Sequence, residues 1–415
     1  MLYFSFYVIS FFLNIIFTYA FIPNGRLVHS SVLLDRKIYF SGGSIIGANA
    51  SSSSTSNEFF YLNVSKPFTT TDDALMPWND LTNTNGPLKA SATACVGGKN
   101  NDMIFIFGGF PYGQSFVNQF DQSKQQWTNV TTTGSAPSDR DSISCAKFNN
   151  GSIAIFSGWN VQNDLWIFNT LTLTWSLGNA TNTPPARYGY RAITLPDDNI
   201  LYIGGRSPAD SSFFPMNNFP LLNTKSNTWT NVSASGPTPP VRYYFSAVLT
   251  PDGRIIIFGG FNATVSFGDL WVLDITTYQW SAGNILNSIA DLALRGYSAT
   301  LVDNNYMFIS FGKFTNESYS SKIFMLDISQ KDSYKWVTEF IVTPSTTISS
   351  NTIPSNTILT TPTPNTTTQS STSSSEFGSS KSTSFIIVAI IGGTISLVII
   401  TIAIILTLKH IDKYK

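Results

Sequence analysis

The sequence predicts an all-β fold made of six copies of one unit of about fifty residues, followed by an unfolded stalk and one membrane-crossing helix. Three observations predict it. Short apolar runs end at Gly42-Gly43, Gly108-Gly109, Ser157-Gly158, Gly204-Gly205, Gly259-Gly260 and Phe311-Gly312. A tryptophan follows each run, at Trp78, Trp127, Trp175, Trp229, Trp280 and Trp336, with separations of 49, 48, 54, 51 and 56 residues. Residues 385–408 then form a stretch of 24 residues without a charge.

The unit is clearest at residues 254–282, RIIIFGGFNATVSFGDLWVLDITTYQWSA. Four apolar residues bounded by glycine are too short for a helix and fit a strand buried on both faces. The isoleucines favour a strand, and the glycine pair allows backbone angles suited to its exit. A second apolar run follows a loop. An apolar residue stands seven before the tryptophan at Phe120, Phe168, Leu222 and Leu273, whereas Leu326 lies ten before Trp336. Apolar run, Gly-Gly, loop, apolar run and late tryptophan together resemble the kelch repeat, over residues 26–341. Ser157 and Phe311 depart from it, each replacing the first glycine of a pair. The resemblance implies a six-bladed β-propeller, each repeat a four-stranded blade. The physics agrees: a lone blade has apolar residues on both faces and buries them only against neighbouring blades, so the array must close into a ring.

The chain in order divides into a signal peptide at 1–20, a propeller at 21–342, a stalk at 343–384, a transmembrane helix at 385–408 and a cytosolic tail at 409–415. The first segment is apolar and ends Thr18-Tyr19-Ala20, which fits cleavage before Phe21, with an uncleaved anchor as the alternative. The stalk is Ser, Thr, Pro and Asn, too polar to fold, and reads as an O-glycosylated or plain spacer. As a helix, the next 24 residues span about 36 Å, enough for a hydrocarbon core of about 30 Å. Lys409, His410, Lys413 and Lys415 follow and mark the cytosolic side, giving a single-pass type I protein at the plasma membrane with its propeller outside. Small residues at Ala389/Gly393 and Gly392/Ser396 suit weak self-association of that helix.

The 24 basic and 24 acidic side chains balance, and 12% of residues are charged, so nothing points to nucleic acid. Behind a signal segment, the sequons at Asn49, Asn63, Asn129, Asn150, Asn179, Asn231, Asn262, Asn316 and Asn365 are acceptor candidates for glycans. The loop at 206–220 carries Phe213, Phe214, Met216 and Phe219. These are expected to pack back onto the ring, the alternative being a contact surface.

The enzymatic precedent in the resemblance is galactose oxidase, whose copper is held by two His and two Tyr. Before the span this chain has one histidine, His29, expected to hydrogen-bond a neighbouring blade. One histidine cannot supply the pair, so neither a cofactor nor catalytic residues are expected. The leading reading is a binding protein for an extracellular protein or glycan, with a galactose oxidase-like carbohydrate-active enzyme as the alternative. No bridge is expected between Cys95 and Cys145: they lie six after Lys89 and five after Arg140, and alternate strand residues point oppositely. An even cysteine count outside the cytosol keeps a bridge open.

The expected ligand site is a cationic ring. Arg26, Lys89, Arg140, Arg187, Arg242 and Arg295 each precede an innermost strand, on the face that receives the loops after Gly-Gly. Such a mouth would attract an acidic ligand. The competing reading pairs these cations internally with carbonyls or with Asp164 and Asp269.

Overall fold

A computed structural model describes residues 20–46, 53–159, 163–179 and 181–342. They fall within the first of two compact units, Met1–Thr346; the second, Thr347–Lys415, lies outside the described residues. So do most of the predicted signal peptide, the stalk, the transmembrane span, the tail, Asn49 and Asn365. Among the described residues no helix is long and apolar enough to cross a membrane.

Six antiparallel four-stranded sheets form in chain order, each strand pairing with the next. In blade 1 they are Ser30–Leu34, Lys37–Ser41, Phe59–Asn63 and Trp78–Asp80. Blade 5 shows the pattern without insertions: Ser246–Leu249, Arg254–Phe258, Leu270–Asp274 and Gln279–Ala282. The second strand is buried along its whole length there, as its run of isoleucines requires. In every blade the tryptophan of the outer strand faces an apolar residue of the third: Leu62–Trp78, Phe120–Trp127, Phe168–Trp175, Leu222–Trp229, Leu273–Trp280 and Leu326–Trp336.

The core sits between blades. Six apolar clusters among the described residues each join two neighbours. The outer tryptophans bind them by reaching into the preceding blade: Trp127 on Phe59 at 4.7 Å, Trp229 on Phe156 at 4.9 Å, Trp336 on Phe258 at 5.4 Å. Such aromatic contacts contribute about 0.5–1.5 kcal/mol each beyond area burial. The cluster holding Phe308, Phe311 and Met325 with Ile38, Phe40 and Phe60 closes blade 6 onto blade 1. Glu339–Phe340 seals that junction by pairing with Phe68–Thr69 of the insertion in blade 1.

Two rings of backbone hydrogen bonds run round the axis. The second glycine of each pair donates to the next blade: Gly43 to Lys89, Gly109 to Arg140, Gly158 to Arg187, Gly205 to Arg242, Gly260 to Leu294 and Gly312 to Arg26. A Cβ at Gly42 would meet the Lys89 carbonyl oxygen at 2.0 Å, so the pair must stay bare for blades to approach. The two substituted positions keep the same left-handed backbone, Ser157 at φ 51° and Phe311 at φ 62°. Ser157 turns the close approach into a bond, its Oγ accepting from the Arg187 amide at 3.0 Å.

Cys95 and Cys145 form a disulfide, Cα atoms 6.5 Å apart, against the expectation of none. Opposite parity is the reason they meet. The two faces of an innermost strand look at two different neighbours, so a forward-facing residue of blade 2 meets a backward-facing residue of blade 3. Thr93, two before Cys95, already points that way: its Oγ1 accepts from the Cys145 amide at 3.2 Å.

Candidate functional site at the propeller mouth

Five of the six cations that the sequence singles out turn inward rather than lining the mouth. Arg26, Lys89, Arg140, Arg187 and Arg242 are at most 3% exposed. Four of them donate to the carbonyl of the first residue of their own blade's pair: Arg26 to Gly42, Arg140 to Ser157, Arg187 to Gly204 and Arg242 to Gly259. Carboxylates complete three of these sites. Arg26 pairs with Glu58, Arg140 with Asp164 and Arg242 with Asp269, the last two through both guanidinium ends at 2.7 and 2.9 Å. Arg187 has no carboxylate partner among the described residues; it lies over Phe214 at 4.0 Å, and burial lowers its pKa to about 10. Lys89 donates to the Ser115 carbonyl at 2.6 Å. The expected cationic rim is thereby corrected to a set of internal staples, each holding a loop between second and third strands, which is the competing reading of the sequence.

Arg295 is out of register with the others. Leu294, fully buried, takes the staple position, as its bond from Gly260 shows. Arg295 points up to pair with Glu317 and to cover Phe261 at 4.3 Å.

The mouth is built from the residue after each staple and the residue after each glycine pair, joined by a short antiparallel bridge. These pairs are Leu27–Ser44, Ala90–Phe110, Tyr188–Arg206, Tyr243–Phe261 and Arg295–Lys313, with Asp141 and Trp159 as the third blade's equivalent. Of these, Ser44, Ala90, Phe110, Asp141, Trp159, Tyr188 and Tyr243 line a cavity of about 460 Å³ on the face of the loops that follow Gly-Gly. Its wall over blades 3 to 5 is aromatic. Trp159 meets Tyr188 edge-on at 4.6 Å, Tyr188 stands at 90° to Tyr243, and Tyr243 lies 4.6 Å from Tyr244. Phe110, Tyr112 and Trp159 are 53%, 38% and 41% exposed. One carboxylate faces this wall: Asp141 accepts from Tyr112 at 2.5 Å and from Ser142 at 2.6 Å. Burial first, then the hydrogen bond to Asp141 and its charge, raises the Tyr112 pKa, so that phenol stays a donor. Arg206, outside that lining, is held by the Ser211 carbonyl at 2.7 Å and lies over Phe213 and Tyr243.

Other expectations fall into place around the ring. Met216 and Phe219 are buried, and Phe213 and Phe214 pack beneath arginines, so that loop folds back as expected. His29 bonds blade 6 through Ser298 at 2.8 Å, and burial holds its pKa well below the usual range. Asn129, Asn150, Asn179, Asn231 and Asn316 are exposed, while Asn63 and Asn262 are half-buried. Among the described residues no three His, Cys, Asp or Glu side chains are grouped to hold a metal.

A closed ring of six consecutive blades, stapled at the glycine pairs and keyed by outer tryptophans, defines a kelch-type β-propeller. Residues 28–252 and 161–359 match the KLHDC2/KLHL20/DRC7 Kelch-repeats domain, and the chain belongs to that kelch-repeat family. It is 26% identical to acyl-CoA-binding domain-containing protein 4 of Arabidopsis thaliana over 163 residues, 39% of this chain and 24% of that protein. Kelch domain-containing protein 3 of Bos taurus is 26% identical over 196 residues, 43% of this chain and 50% of that one. Tip elongation aberrant protein 1 of Schizosaccharomyces pombe is 29% identical over 213 residues, 47% and 18%. The chain thus spans half or less of the length of these relatives. A solved structure titled "Structure of YjhT" superposes with a TM-score of 0.57 at 12% identity, covering 76% of this chain and 98% of that one, a likeness of fold.

Proposed function

We propose that the protein is an interaction module that receives an extracellular protein or glycan at the mouth bounded by Asp141, Trp159, Tyr188 and Tyr243. One observation carries the reading. Exposed aromatic side chains scattered singly need no explanation, but here the exposed Phe110 and Trp159 converge with Tyr188, Tyr243 and one carboxylate, Asp141, on a single cavity. Flat aromatic faces beside hydrogen-bonding groups suit a sugar ring or a side chain of a partner. Display outside the cell, from a type I anchor with glycans on the exposed sequons, rests on the apolar segments at 1–20 and 385–408 and on the basic tail.

The test uses the full-length protein on the surface of a eukaryotic cell, probed with a glycan array and a panel of secreted proteins. A ligand should bind wild type and lose at least tenfold in affinity for Trp159→Ala and for Tyr243→Ser. A ligand bound equally by both variants lies elsewhere, and the mouth is then not the site. Enzymatic deglycosylation of the same protein should shift its mobility; no shift would remove the extracellular placement.

A further inference from the structure

A second site lies below the mouth, inside the channel. Two residues beyond the ring-forming amides, each innermost strand contributes one side chain to a common layer: Ser30, Thr93, Ser144, Arg191, Ser246 and Ser298. Five are hydroxyls and one is a guanidinium. All six line a channel cavity of about 150 Å³. Arg191 also borders the narrower throat above it, of about 50 Å³.

The hydroxyls have a structural task, linking each blade to the next. The Ser144 Oγ accepts from the Ala192 amide at 3.1 Å, and the Ser246 Oγ donates to the Tyr297 carbonyl at 3.0 Å. Arg191 makes the corresponding link, from Nε to the Phe245 carbonyl at 2.7 Å and from Nη2 to the Ser246 Oγ at 2.8 Å. Neutral hydroxyls do this elsewhere in the ring, so the positive charge is not needed for the link. Nor is it neutralised. Both partners are uncharged, and among the described residues no carboxylate lies within ion-pair distance of Arg191. Arginine enclosed by protein is rarely left without a counter-charge, because the desolvation of the cation is costly. His29, the other titratable base near the channel, is held neutral and does not compete for an anion.

We infer that the channel layer around Arg191 binds a small inorganic anion. The guanidinium supplies the charge through Nη1, which carries no hydrogen bond to protein among the described residues. Ser144, whose oxygen already accepts, has its hydrogen to give to the channel, and the Ser30 hydroxyl lines the same cavity. The anion would sit on the axis as a counter-charge to the ring, separate from the aromatic mouth.

The experiment is equilibrium dialysis of the full-length protein in detergent micelles against radiolabelled inorganic sulfate, in low-salt buffer at neutral pH. One saturable site per chain is expected. Arg191→Gln should weaken it at least tenfold, whereas Arg206→Gln, at the mouth, should leave it unchanged. Absence of saturable binding by wild type, or equal affinity in folded Arg191→Gln, overturns the proposal. So does loss of binding in Arg206→Gln, which would place the anion at the mouth. If Arg191→Gln does not fold, the double variant Ser30→Ala, Ser144→Ala takes its place: weaker binding supports the site, and unchanged affinity rejects it.

Discussion

The amide of Val28 donates to the carbonyl of Gly296 at 2.6 Å, and this bond joins the first blade to the last. It is one of six identical in kind. Ser91 donates to Val28, Ser142 to Ser91, Gly189 to Ser142, Tyr244 to Gly189 and Gly296 to Tyr244. The circuit is possible because all six residues have positive φ, from 49° to 64°. Two are glycines, for which this costs little; Val28 is β-branched and resists it most.

Val28→Gly should therefore stabilise the protein, by about 1 kcal/mol. The larger conformational freedom of glycine in the unfolded chain offsets part of the relief. Equilibrium urea unfolding of the two proteins side by side measures it. A variant less stable than wild type would mean that the packing of Val28 at the throat outweighs its backbone strain.

The buried staples make a graded prediction. Arg140 and Arg242 each face a carboxylate through two hydrogen bonds, so Arg140→Met or Arg242→Met strands a half-buried Asp164 or Asp269. Breaking a buried pair from one side costs about 3–5 kcal/mol. Among the described residues Arg187 has no such partner and its Nε makes no hydrogen bond; what it offers is one bond to the Gly204 carbonyl and its stack on Phe214. Arg187→Met should cost less than half as much. Chemical denaturation of the three variants orders them, and equal losses would contradict the role given to the carboxylates.

How much of this could be read in advance divides along a physical line. Blades, strand order and the tryptophan register follow from apolar periodicity and the glycine pairs, which recur because every blade has the same packing problem. The staples were legible as residues, and their internal pairing with carbonyls, Asp164 and Asp269 was one of two readings left open, since a cation's partner is set by three-dimensional contacts. Arg295 misled because it stands beside the true position; aligning Gly296-Tyr297 with Gly189-Tyr190 places Leu294 there instead. Of the mouth residues only Arg295 was singled out, as one of the expected ring cations; the others were missed although they sit next to the staples. Their variety, Leu27, Ala90, Asp141, Tyr188, Tyr243 and Arg295, hides them from any search for repetition. Variation at a fixed structural position is what a ligand site on a repeating scaffold needs.

The disulfide gives a covalent prediction. Peptides containing Cys95 and Cys145 should be recovered linked from a non-reduced digest. Closing the 50-residue separation removes denatured-state entropy worth about 4 kcal/mol in the chain-entropy model. Cys95→Ala with Cys145→Ala should lower the unfolding midpoint accordingly, and reductant should lower the wild-type midpoint towards that of the double variant. Recovery of both cysteines as free thiols from the folded protein would refute the bridge.

Lys89 takes the staple position of blade 2 without a carboxylate, and it carries a pH signature. It is 3% exposed, its Nζ donates to the Ser115 carbonyl, and burial lowers its pKa from the ordinary 10.5 to about 8, opposed only by Asp139. Below about 8 the amine is charged in both folded and unfolded chains, and the folded state bears the full penalty of burying the charge. Between about 8 and 10.5 the folded chain has lost the proton that the unfolded chain still holds. Stability then rises with pH, because the unfolded state binds more protons. Above 10.5 both are neutral and the gain is complete. Lys89→Met has no such group. The stability of wild type relative to Lys89→Met should therefore climb across that window, by an amount on the order of 3 kcal/mol. Differencing the two proteins cancels the tyrosines and other groups that titrate in the same range. Denaturant unfolding of both at pH 7.5, 9 and 10.5 is the measurement, and a difference that stays flat would show that the Lys89 amine keeps its ordinary pKa in the folded ring.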